Sequence, residues 1–120
     1  MKCFDTYVLV EIHDENPKFI NYLNEEFVIP DIIMAEFYGV ILRGYNEKTA
    51  EYLYKKFKPY VANVSVDLLV KAVRYRYENK TQNLSFFDCV GYVYALEKNI
   101  PFVTGDKEFE NKENVEYIKK

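Results

Sequence analysis

An α/β fold on a mainly parallel sheet is predicted by three features of this 120-residue sequence. Short apolar, β-branched segments alternate with longer segments of helical periodicity, the pattern of a parallel sheet covered on both faces. Hydrophobic residues make up 49% of the chain, enough for one domain of ordinary size to bury a core. No repeat, low-complexity tract or linker divides residues 1–120.

The elements follow in order. Lys2 to Phe4 reads as a first strand ending at Asp5, and Val8, Leu9 and Ile12 carry helical spacing after it. Asn16-Pro17 is a helix start, with proline at its first position, and Phe19, Ile20 and Leu23 form its apolar stripe. Phe27 to Ile29 is a second strand, and Pro30-Asp31 opens a helix to about Arg43. Gly44-Tyr45-Asn46 breaks it before a helix over Glu47 to Lys58, stopped by Pro59. Val61 to Val64 is a third strand. Ser65 caps a helix to about Glu78 with Leu68, Leu69, Ala72 and Val73 inward. After a polar loop, Asn79 to Asn83, comes the stretch that organises the chain. A buried helix from Ser85 leads to a buried strand, Ile100 to Thr104, then the turn Gly105-Asp106. Val115 to Ile118 completes the sheet as a fifth strand.

A net charge of −3 gives the surface no general pull on nucleic acid, so any such binding needs a local basic patch. Cys3 and Cys89 lie inside apolar runs and read as reduced, buried thiols. The N-terminal residues lack the uncharged core of a signal peptide. The longest apolar stretch, Val28 to Leu42, is interrupted by Asp31 and Glu36 and is too short to span a bilayer. A cytoplasmic protein without a membrane partner is the expectation.

Chemistry is signalled by acids in apolar company. Asp88 stands in the run Phe86, Phe87, Cys89, Val90, Val93, Tyr94, and Glu36 is the only charge between Asp31 and Arg43. Asp5 and Asp106 follow strands, at the carboxyl edge where open parallel sheets bind ligands. Each acid also has a structural reading. Asp5 and Asp106 suit turns, Glu36 can pair with Arg43, and Ser85-Phe86-Phe87-Asp88 fits a capping box. Gly39 and Gly91 each lie three residues after an acid and leave room for an ion or a phosphate, or for close helix packing. Taken together, clustered carboxylates repel one another without a cation, and Mg²⁺ or Mn²⁺ prefers such hard oxygen ligands.

Phe4-Asp5-Thr6-x-Val8-Leu9, Ile29-Pro30 followed by Ala35-Glu36, Ser85-x-x-Asp88 leading to Ala95-Leu96-Glu97, and Pro101-x-Val103-Thr104-x-Asp106-Lys107-x-Phe109 resemble the PIN domain, in the branch of the VapC-type toxins. The resemblance covers nearly the whole chain. It implies an α/β/α sandwich, an acidic Mg²⁺ or Mn²⁺ site, hydrolysis of RNA phosphodiesters, homodimers and inhibition by a cognate antitoxin. Carried over by position, Asp5, Glu36, Asp88 and Asp106 are the catalytic acids. Asp5, Asp88 and Asp106 would ligate metal, and Thr104 would hold the turn. Tyr7 departs from the pattern: the family usually has asparagine there, whose amide supports the first aspartate.

RNA needs positive charge and stacking surfaces. Arg74-Tyr75-Arg76-Tyr77 interleaves the two, Arg43 lies on the Glu36 stripe, and Lys107 flanks Asp106; these, with Thr104, are the candidate substrate contacts. Lys55, Lys56 and Lys58 read as a solvated face, and His13, the one histidine, as a surface residue. The 12 tyrosines and 9 phenylalanines exceed ordinary use. An apolar stripe beyond core needs, especially on the first helix and on the Glu47 to Lys58 helix, would suit self-association or an antitoxin. Three rival readings share some of these features. A phosphoacceptor receiver domain wants an aspartate after the third strand, where Val64-Ser65 stand, and a dehalogenase-type phosphatase wants Asp-x-Asp, where Tyr7 takes the second place. A binding module that keeps the fold without catalysis is the third.

Overall fold

The computed structural model describes residues 1–120. The chain runs β1 (Lys2–Phe4), α1 (Thr6–His13), α2 (Pro17–Ile20), β2 (Phe27–Pro30), α3 (Asp31–Gly44), α4 (Glu47–Phe57), β3 (Val61–Ala62), α5 (Val66–Glu78), α6 (Phe86–Lys98), β4 (Phe102–Thr104) and β5 (Val115–Tyr117). The five strands form one sheet in the order β3-β2-β1-β4-β5, with every pairing parallel. The order reverses between β1 and β4, so the carboxyl ends of these two strands flank the switch point of the sheet.

Alternation along the strands builds two cores. Phe4, Ile29 and Val103 point into the layer packed by α1, α3 and α4, with Phe19, Phe37 and Phe57. Cys3 and Phe102 point the other way, into the layer packed by α5 and α6, with Val90, Tyr92 and Phe109. Successive strand residues face opposite sides of a pleated sheet, and the result is an α/β/α sandwich. Gly91 lets α6 approach β4 closely: a Cβ there would lie 2.7 Å from Cε1 of Phe102. No helix is long and apolar enough to cross a membrane, and both cysteines are free and buried.

Several boundaries differ from the sequence reading. The segment after Pro17 is one α turn followed by a 3-10 turn, Asn21–Asn24. The tighter winding turns Tyr22 inward and leaves Ile20 36% exposed. β3 ends at Ala62 because the Val64 N–H donates to Asp31 Oδ2 (3.2 Å) and leaves the ladder. An exposed apolar stripe lies on α5. Val66, Val70, Val73 and Tyr77 are 73, 62, 56 and 69% exposed, so Val73 faces outward, whereas Leu68 and Ala72 carry the inward face.

Candidate functional site

At the switch point Asp5 ends β1 and caps α1, its Oδ1 accepting from the Thr6 N–H (2.8 Å). The Asp5 Oδ2 accepts from the Thr104 hydroxyl (2.6 Å) at the end of β4. The same hydroxyl oxygen accepts the Asp106 N–H (3.0 Å), so one threonine fixes two acid-bearing segments. Thr104 is fully buried. Its hydroxyl holds the turn, the role the family resemblance implies for it. Asp106 caps the short turn Lys107–Phe109 through Oδ1, which accepts from the Glu108 N–H (3.0 Å).

Glu36 comes from α3 and accepts a short hydrogen bond from the Thr6 hydroxyl. Asp88 comes from the first turn of α6. Its Oδ2 accepts from the Ser85 N–H (2.9 Å) and its own N–H donates to the Ser85 hydroxyl (3.0 Å). The capping reading of Asp88 therefore holds, yet only one oxygen is spent on it. Asp5, Glu36, Asp88 and Asp106 all line a single cavity of about 300 Å³, together with Thr6, Tyr7, Val10 and Glu11.

The cavity is electrostatically uncomfortable. Burial, and then the Asp88 carboxylate, push Asp5 from 3.8 up to about 8, although the Thr104 hydrogen bond pulls the other way. Burial also raises Glu36 and Asp88, each against hydrogen bonds that favour the ionised form. Like charges sharing a buried site disfavour ionisation, and a cation removes that penalty. As donors, four oxygen-only side chains suit a hard divalent ion that retains water ligands. No three Asp, Glu, His or Cys side chains stand close enough to form a ready-made ligand set.

Two residues modify the expected picture. Tyr7 makes no hydrogen bond to Asp5. Its ring lies flat against the turn, where a Cβ on Gly105 would sit 2.1 Å from Cε1 of Tyr7. Glu11, which the sequence reading passed over, is a fifth acid on the cavity wall and is 4% exposed. It accepts from Asn16 Nδ2 (2.8 Å) and pairs with Lys120 (3.3 Å). Its helix neighbours Val10 and Ile12 gave a signal of the kind that singled out Glu36: an acid inside an apolar run.

The cations are arranged unevenly. Arg43 folds back over Gly39, where its Nη1 would lie 3.1 Å from an added Cβ, and its charge favours ionised Glu36. The space beside Gly39 is thus taken by guanidinium, and that beside Gly91 by Phe102. Lys107 is exposed next to Asp106. Of the α5 set, Arg74 and Tyr77 are exposed, Tyr75 turns in against Tyr92, and Arg76 is tied through Nε to the Leu84 carbonyl (2.8 Å). His13 packs edge-on to Tyr45, away from the acids.

A toxin–antitoxin complex from Klebsiella pneumoniae superposes with TM-score 0.75 at 20% identity, covering 98% of this chain and 100% of that one. VapC20 of Mycobacterium tuberculosis, a sarcin-ricin loop cleaving toxin, superposes with TM-score 0.79 at 14% identity, over 91% and 92% of the chains. VapBC2 from Rickettsia felis, bound to a promoter DNA fragment, gives TM-score 0.77 at 18% identity over 98% of each. These identities establish a shared fold. A search of curated protein sequences finds no match. The PIN domain model itself matches residues 2–115, nearly the whole sandwich from β1 to the start of β5, and the chain belongs to the PIN domain family.

Proposed function

We propose that this protein is a Mg²⁺- or Mn²⁺-dependent endoribonuclease that hydrolyses RNA phosphodiester bonds, acting in the cytoplasm as the toxin of a VapBC-type toxin–antitoxin pair. One observation carries the reading: carboxylates from four separate elements line one cavity at the sheet's switch point, with Asp5 too buried to ionise comfortably alone. Asp5, Asp88 and Asp106 would hold the ion, and Glu36 would complete or orient its surroundings. When bound, the cation supplies charge that acidifies an attacking water and stabilises the leaving oxygen.

The chain's own residues prepare this. Thr104 locks Asp5 and the Asp106 turn in one register. Thr6 holds Glu36 by one oxygen, and Ser85 holds Asp88 by one oxygen, which leaves the second oxygen of each carboxylate for the cavity. Arg43 beside Glu36 offers a phosphate its counter-charge. The named relatives that are toxin–antitoxin complexes support an antitoxin as partner. Self-association is assigned to Val66 and Val70, the exposed valines nearest the N-terminus of α5, which lie outside the 480 Å³ cavity described below.

The test uses purified parent, Asp5→Asn and Asp88→Asn proteins on structured RNA, with Mg²⁺, Mn²⁺ or chelator. Cleavage is expected only from the parent with metal, with losses on the order of 100-fold or more in either variant. Equal cutting by all three proteins, or none by any, rejects the nuclease.

A further inference from the structure

A second cavity, of about 480 Å³, opens between the C-terminal half of α5 and the 79–85 loop. Arg76, Tyr77, Lys80, Gln82, Asn83 and Phe86 line it. Not one acid borders it, whereas the neighbouring cavity carries five. In a chain of net charge −3 this local reversal of sign is the feature to explain.

The parts match single-stranded nucleic acid. Arg76 is immobilised by its Nε bond to the Leu84 carbonyl, which leaves the far edge of the guanidinium for a phosphate. Lys80 lies 4.9 Å above the Tyr77 ring and adds a second cation. Gln82 and Asn83 are exposed amides, each able to donate to and accept from a base edge. Phe86 offers a half-buried aromatic surface, and bases stack on such rings in single-strand binders. The first turn of α6 joins the groove to the acidic cavity: Phe86 lines the one and Asp88, two positions on, lines the other, its carboxylate held by the N–H of Ser85 just before Phe86. The Arg76 charge is felt at Asp88. An acidic peptide would meet the same two cations, but it would leave both amides without a defined role and would run into carboxylates.

We propose that this groove is a subsite for single-stranded RNA, seating a nucleotide that flanks the bond presented to the acidic cavity. The proposal rests on the ribonuclease reading, and its test separates the two. Binding of a fluorescein-labelled, mixed-sequence single-stranded RNA 12-mer is followed by anisotropy in chelator, where nothing is cut. Lys80→Glu is expected to weaken binding about tenfold and to reduce the salt slope by about one. Lys80→Arg should bind as the parent does, and Asn83→Ala should alter preference among homopolymeric competitors. Lys48→Glu, the same charge change on the far end of α4, serves as control and should cost less than about twofold.

Absence of RNA binding by the parent, or equal losses in the Lys80 and Lys48 variants, overturns the subsite. So does a Lys80-dependent affinity for polyglutamate that exceeds the affinity for RNA. Metal-dependent cleavage is measured alongside. A parent that binds through Lys80 but never cuts sinks the nuclease reading and keeps the subsite; one that cuts with Lys80→Glu unchanged in binding does the reverse.

Discussion

Asp5 is asked to be both buried and ionised, and its surroundings favour the first demand. Its pKa rises on folding from 3.8 to about 8. The folded state then binds more protons than the unfolded one, so stability falls as pH rises through that interval. In chelator, melting temperatures should decline from about pH 4 to pH 8, the interval set by the two Asp5 values. Asp5→Asn should flatten much of the decline and melt higher than the parent at pH 8. The amide keeps the Thr6 N–H bond through its oxygen, and the Thr104 hydroxyl can turn to accept from its nitrogen. A variant no more stable than the parent at pH 8 contradicts this account. The four principal acids were legible in the sequence because each breaks an apolar run or follows a strand. Glu11 carries the same signal between Val10 and Ile12, but its partners Asn16 and Lys120 come together only in the fold.

Between elements, the contact of Tyr7 with Gly105 ties α1 to the turn after β4. Gly105→Ala would drive a methyl to 2.1 Å from the Tyr7 ring. It should cost about 1–3 kcal/mol in urea unfolding, the usual scale of overpacking. Adding Tyr7→Ala opens that space, so the double variant should recover part of the loss relative to Tyr7→Ala alone; strictly additive losses would mean the two groups do not meet. The order of strands and helices could be read from apolar spacing, as could the caps at Asn16, Ser65 and Ser85. The ends of β3 and the inward face of α5 could not. Asp31 captures the Val64 N–H across a gap in sequence. α5 is apolar on more than one side, so periodicity alone does not choose between Ala72 and Val73.

For the whole molecule, the proposed self-association face is the exposed pair Val66 and Val70 of α5. Val70→Asp alters a side chain that is 62% exposed, so it should leave the melting temperature nearly unchanged. It should convert a dimer to a monomer in analytical ultracentrifugation; a parent that is monomeric at high concentration removes α5 as the self-association face. The sandwich was foreseeable from strand–helix alternation, but the exposed apolar stripe of α5 was not, because exposure is a property of the folded layers. The topology carries one further consequence. The hydrogen bond from Thr104 to Asp5 closes across 99 positions of chain, and β1 is paired with β4 at the middle of the sheet. Domains form from their N-terminal end as the ribosome delivers them, yet this pocket lacks its fourth acid until the segment after β4 has been made. A chain that stops short of Thr104 therefore holds three of these acids without the threonine clasp that joins β1 to β4.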